Sequence, residues 1–172
     1  MLLTQLAKVP ASNAMIRTTT APTMLSAGVK DNVVPQSANA IVNFRVLPGD
    51  SAAWVIGRVK EIVADDRVAV EVMNGMAFEA TAVSPHDNDA FKLLAGTIRD
   101  LYPGTIVAPY LVTGGTDARH FYRVSPNVYR FAPITVTAGT MSLMHGTNER
   151  IGVQSYLDAV RLYTRLIDAA SR

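Results

Sequence analysis

The sequence predicts a mixed α/β chain: an α+β layer in its first half, followed by part of an open α/β sheet. Three observations carry this. A run rich in threonine and β-branched residues and a second run that alternates apolar and polar residues flank a turn around residues 31–35. Three segments, at residues 51–63, 88–101 and 153–170, carry apolar residues at helical spacing. Between the last two helices lie short β-branched runs that end in glycine or proline, as in an α-β-turn-β-loop-α order.

Each element has its own justification. Leu2, Leu3 and Leu6 have helical spacing until Pro10 interrupts them, and "ASNAMI" reads as a second short turn. "RTTTAPTMLSAGV" reads as a strand running past Pro22. "SANAIVNFRVLP" sets Ala40, Val42, Phe44 and Val46 against Asn39, Asn43 and Arg45, a strand with one buried face, antiparallel to its predecessor. Asp50 or Ser51 caps a helix whose stripe is Trp54, Val55, Val59 and Ile62. "RVAVEVM" reads as a further strand, so residues 17–74 form strand–strand–helix–strand, with a sheet that is unfinished at one edge.

"NGMAFEATAVSPHDND" is a break in composition and reads as a linker, which gives two domains, 1–80 and 81–172. Beyond it, Asp87 or Asn88 caps a helix with the stripe Phe91, Leu94, Ile98 and Leu101, stopped by Pro103-Gly104. "TIVAPYLVTGG" and "NVYRFAPI" read as strands, "TDARHFY" as a short helix or turn, and "TVTAGTMSLMHGTNER" as a long loop. The closing helix places Tyr156, Val160, Tyr163 and Ile167 on one face.

Composition narrows the function. A chain of 172 residues that is 49% hydrophobic and 17% charged can bury a sizeable core. Its net charge is +2, and the 16 basic residues form no run and have no aromatic interleaving, so there is no nucleic-acid footprint. The absence of cysteine excludes disulfides, thiolate catalysis and cysteine-held metals. No apolar run reaches the ~20 residues that span a bilayer. The opening "MLLTQLAKVPASNAM" is a poor signal peptide, because its one early base, Lys8, follows the apolar residues.

Three places carry candidate chemistry, and each also has an ordinary reading. In "VTGGTDARHF", a strand ending in Gly114-Gly115 presents Thr116, Asp117 and Arg119 where open α/β sheets put their sites. A guanidinium there suits a carboxylate, since two parallel hydrogen bonds form at once. The ordinary reading is a glycine turn, an N-cap aspartate and a surface arginine. His145 in "LMHGTNERI" is either one metal ligand or a loop histidine; a catalytic zinc needs about three protein ligands, and neither His86 nor His120 stands at a recognised ligand spacing. Asn32 in "DNVVP" is either an Asx-turn former or an amide donor to a developing oxyanion. No GxSxG elbow and no phosphate-binding glycine pattern occurs.

Taken together, "TTTAPTMLSAGVKDNVVPQSANAIVNFRVLPGDS", "GGTDARHF" and "MHGTNERI" resemble, in order and spacing, the M20 family of zinc metallopeptidases and amidohydrolases. The likeness leans toward the carboxypeptidase S / N-acyl-amino-acid hydrolase branch and runs from about residue 15 to the end. It implies a zinc-binding catalytic domain with an inserted lid or dimerisation domain. Residues 1–80 would be part of the lid and residues 81–172 the C-terminal part of the catalytic domain. The resemblance makes His145 a zinc ligand, and Arg119 the grip on the substrate's free carboxylate, presented by the turn Gly114, Gly115, Thr116 and Asp117. It makes Asn32 a lid residue that contacts substrate.

The family's other ligands and its glutamate base match nothing here, so the expectation is the C-terminal part of a longer enzyme, with no catalytic residue of its own. The complete enzyme would hold two zinc ions, form a homo-oligomer, touch neither nucleic acid nor membrane, and hydrolyse a peptide C-terminus or an N-acyl amino acid. A zinc-bound water would attack the amide while the glutamate moved its proton. The chain alone is expected to be inactive. The rival reading is a non-catalytic α/β dimerisation or interaction module whose sheet edge pairs with another chain.

Overall fold

The computed structural model describes residues 2–75 and 77–172, with Ala138 described by its backbone only. The described residues fold into two units. One holds the residues up to Val83 together with Leu111–Thr116; the other holds Ser84–Tyr110 and Asp117–Arg172.

The first unit opens on two short helices, α1 (Leu2–Leu6) and α2 (Pro10–Asn13), and continues into the antiparallel pair β1 (Thr19–Ala27) and β2 (Ala38–Arg45). Pro22 has no N–H to give the ladder, and the register shifts between Pro22 and Met24, leaving Thr23 as the extra residue. Its hydroxyl donates to the Ile41 carbonyl at 3.2 Å. The shift changes the parity of β1. Pro22 pairs with Val42 and Leu25 with Ala40, so an even- and an odd-numbered apolar residue share one face of the hairpin. That face is not buried: Leu25 is 82% exposed, and only Ile41 and Phe44 of β2 are half-buried. The alternation therefore predicts the strand and its pairing correctly but not a covered face.

Helix α3 (Ala52–Val63) starts where Ser51 Oγ accepts the Trp54 N–H at 3.1 Å, and ends on Ala64 in the left-handed region. Val55 is its buried residue. Trp54 and Ile62, read as part of the stripe, face solvent. The run 67–73 is irregular and closes in a 3-10 turn at Met73–Gly75, rather than forming a strand.

In the second unit, α4 (Asp89–Leu101) is capped by Asn88, whose side chain accepts the Phe91 N–H at 3.0 Å. One turn of helix, α5 (Ala118–Phe121), and another, α6 (Ala138–Met141), precede the long α7 (Val153–Ala170). Leu94 and Ile98 of α4 close on Leu162 of α7, with Leu101, Tyr102, Val107, Tyr129 and Leu166 around them. Leu162 is fully buried, while Tyr156, Val160, Tyr163 and Ile167 are exposed. The stripe read for α7 is thus the wrong face. Leu162 and Leu166, four apart, make the packing edge.

The mixed α/β class holds: helices accompany one two-stranded antiparallel sheet among the described residues. The strands read at 105–115 and 127–134 are not formed. A strand exists only through a ladder of hydrogen bonds to a neighbour, and among the described residues none lies alongside them. Instead, Ser84 imitates one rung by donating to the Val128 carbonyl and accepting the Val128 N–H, both at 3.0 Å. Tyr129 Oη adds bonds to the Pro85 carbonyl at 2.7 Å and to Asn88 Oδ1 at 3.0 Å.

Candidate functional site

The motif "GGTDARHF" is divided between the units: Gly114, Gly115 and Thr116 go with the first, Asp117 and Arg119 with the second. Asp117 takes the N-cap place of α5, but its side chain makes no capping bond. Arg119 stands on that single turn and donates through Nε to His120 Nε2 at 3.2 Å. At the glycine turn itself the guanidinium is another one. Arg45 Nη1 lies 2.9 Å from where a Cβ on Gly115 would sit. Glycine at 115 is therefore what lets this cation approach the backbone. In the sequence Arg45 is a polar residue of β2; the alternation of a strand gives it a side but no sign of what lies across from it.

Asn32 sits exposed in the connection between β1 and β2, in a turn where the Val33 N–H reaches the Lys30 carbonyl at 3.5 Å.

His145 follows α6, whose turn is tied by Thr137 and Thr140 accepting each other's N–H groups at 3.2 and 2.9 Å. Its backbone is left-handed, with φ 60, and Asn148 repeats this with φ 64. Few non-glycine residues adopt that region. The conformation is held locally: the His145 N–H donates to Glu149 Oε2 at 3.1 Å, and the Gly146 N–H to the Leu143 carbonyl at 2.9 Å. The His145 side chain is exposed. The remaining histidines are occupied elsewhere. His86 meets Phe91 edge-on with ring centroids 6.2 Å apart, and His120 accepts from Arg119.

An exposed imidazole is one zinc donor, but a zinc centre needs about three or four. Among the described residues no group of three or more His, Cys, Asp or Glu side chains could hold a metal ion. These residues by themselves do not fit a zinc centre.

Comparison with known proteins gives this arrangement a lineage. Residues 1–71 match the M20 peptidase dimerisation domain. The chain is 43% identical over 164 residues to an N-fatty-acyl-amino acid synthase/hydrolase of Homo sapiens, covering 94% of this chain and 32% of that protein. The chain belongs to the M20 family.

Two further M20 relatives agree. A Danio rerio N-fatty-acyl-amino acid synthase/hydrolase is 39% identical over 160 residues, with 92% of this chain and 31% of the relative covered. A probable carboxypeptidase S-like protein of Dictyostelium discoideum is 38% identical over 158 residues, with 92% and 30% covered. The chain thus spans about a third of the length of these relatives. No solved structure matches it. The M20 resemblance drawn from "GGTDARHF", "MHGTNERI" and the Asn32 stretch is therefore correct, and the M20 relatives are hydrolases or carboxypeptidase-like proteins by name.

Proposed function

We propose that this chain is the C-terminal portion of an M20 hydrolase that cleaves an amide bond next to a free carboxylate. Its substrate would be an N-acyl amino acid or a peptide C-terminus. The observation that carries this is the 43% identity, over 94% of the chain, to an N-fatty-acyl-amino acid synthase/hydrolase. Residues 1–80 would serve as part of the lid and dimerisation domain, with a second copy as partner, and residues 81–172 as the end of the catalytic domain.

The carboxylate would be gripped by a guanidinium group. That group would be Arg119, carried on α5. Planar forks of this kind take a carboxylate through two parallel bonds. Thr116 adds a hydroxyl beside Gly115, and Asn32 an amide that can donate to a substrate oxygen. His145 would be one ligand of a centre that holds two zinc ions in the complete enzyme. Zinc bound there would acidify a water and polarise a carbonyl.

The 172-residue chain alone brings one imidazole to that task, so it is inactive by itself. Dialysed chain mixed with zinc and N-acetyl-amino acids should give no turnover above a protein-free control; turnover would overturn the inactivity. The function itself is tested in the Homo sapiens relative. Alanine at the position matching Arg119 should raise KM far more for an N-acyl amino acid than for its amide, which lacks the carboxylate charge. Equal effects on the two would remove Arg119 from carboxylate binding.

A second reading is favoured by the bare face of the hairpin, where Leu25 is largely exposed. A sheet of this kind serves as an interaction module when another chain covers it. Gel filtration separates the two: the enzyme portion should dimerise or aggregate, whereas an evolved module should be monodisperse.

A further inference from the structure

Asparagine followed by glycine is a chemically labile pair, because the glycine nitrogen has no neighbouring side chain to hinder its attack on the asparagine amide. The chain has one such pair, Asn74-Gly75. It sits in the exposed 3-10 turn that ends the irregular run after α3. Asn74 has φ 51 and ψ 34, and Gly75 has φ 68, two successive left-handed residues of the kind Asn-Gly turns adopt at low cost. No hydrogen bond to the Asn74 side chain occurs among the described residues, and no regular element holds the run before it.

The other asparagines differ in the features that matter. Asn88 is committed twice over, accepting the Phe91 N–H and donating to Asn127 Oδ1 at 2.7 Å. Asn39 and Asn43 are held in β2. Asn148 shares the left-handed backbone but is followed by Glu149, whose Cβ crowds its nitrogen and whose carboxylate is engaged with His145.

We propose that Asn74 is a site of spontaneous deamidation and isoaspartate formation. The Gly75 backbone nitrogen loses its proton and attacks Asn74 Cγ. A new N–Cγ bond closes a five-membered succinimide, and the side-chain nitrogen leaves as ammonia. Water then opens the ring. Attack at one carbonyl restores a normal aspartyl link, and attack at the other routes the main chain through the side-chain carbon as isoaspartate. Either product exchanges a neutral amide for a carboxylate and lowers the net charge by one. The new carboxylate stands three residues beyond Glu71, in a stretch that already carries Asp65 and Asp66. The isoaspartyl form adds a backbone carbon to a turn whose dihedrals need two left-handed α-residues, so the turn cannot close as before.

The test is a time course of the full chain at mildly alkaline pH, followed by peptide mapping with fragmentation and by enzymatic methylation of isoaspartate. Asn74 should convert before any other asparagine, giving aspartate and isoaspartate together and a more acidic species on ion exchange. G75A should slow the conversion several-fold, and N74Q should abolish the early isoaspartate signal. Conversion of another asparagine while Asn74 stays intact would overturn the assignment. So would an unchanged rate in G75A, which would mean that the missing side chain at residue 75 is not what makes Asn74 labile.

Discussion

Glu79 reaches back 27 residues to accept the backbone N–H of Ala52 through Oε2 at 3.0 Å. Ala52 is the first residue of α3, and the preceding Ser51 already caps the Trp54 N–H. Two of the four orphan donors at this helix start are therefore satisfied by side chains, one local and one distant. A carboxylate at a helix N-terminus also meets the positive end of the helix dipole.

Removing each cap tests this pairing. Ser51→Ala should cost about 1 kcal/mol. Glu79→Ala should cost about 0.5–1 kcal/mol and be partly rescued by Glu79→Gln, which keeps the acceptor but not the charge. Chemical denaturation followed by the single tryptophan, Trp54 on α3, reads both. Indistinguishable midpoints for Glu79→Ala and the parent chain would show that the contact contributes nothing.

Legibility from sequence followed the range of the cause. Ser51 and Asn88 could be named as caps because a cap acts over three residues, and both side chains accept the backbone N–H three residues on. The β1–β2 pairing was legible for the same reason, through Pro22, the turn and the alternation in β2. Glu79 was not, because it lies in a stretch whose composition reads as a linker and its partner is 27 residues away. The strands at 105–115 and 127–134 failed for a related reason: β-branched composition gives a propensity, but a ladder needs a neighbour. Within the candidate site, Gly115 was legible as a turn residue, while the guanidinium that approaches it, Arg45, sits 70 residues earlier in sequence. The roles expected of Arg119 and His145 come from family resemblance alone, since one arginine on a single helical turn and one histidine on a loop have no period to announce them.

The helix face of α7 makes a sharper test. Leu162 is fully buried between Leu94 and Ile98, while Ile167, on the face the periodicity favoured, is 67% exposed. Leu162→Ala should cost about 2–5 kcal/mol through lost burial and a cavity. Ile167→Ala should stay within about 0.5 kcal/mol. Thermal unfolding of the two variants side by side decides which face packs; the reverse order would restore the periodic reading.

Tyr102 supplies the pH dependence. Burial against the α4–α7 core, and then the carboxylate of Asp158, push its hydroxyl above the ordinary value of 10.0. Both causes disfavour the phenolate in the folded state. The folded chain therefore holds this proton more tightly than the unfolded chain does. The contribution to stability is complete below that ordinary value and is lost as pH rises through the folded one. Denaturation midpoints measured from about pH 9 to about pH 11 should fall, and Tyr102→Phe should flatten the part of the fall due to this residue. An identical slope in Tyr102→Phe would assign the loss to other groups.

His145 is the residue on which backbone strain and a proposed metal role meet. A side chain at φ 60 costs roughly 1–2 kcal/mol relative to the right-handed region. Glycine at this position would remove that penalty but carry a larger loss of backbone freedom on folding, about 0.5–1 kcal/mol. The two nearly offset, so His145→Gly should be neutral to slightly stabilising. His145→Val places a branched Cβ where none is tolerated, and should be clearly destabilising. Glu149→Ala removes the carboxylate that holds the His145 N–H, so that amide should exchange faster with solvent, while Glu149→Gln retains an acceptor and most of the protection. Such an outcome would mean that the backbone around His145 is held by its own neighbours, whatever the imidazole goes on to bind. If His145→Gly instead lost as much stability as His145→Val, the imidazole would itself be a structural contact, and its reading as a presented metal ligand would fail.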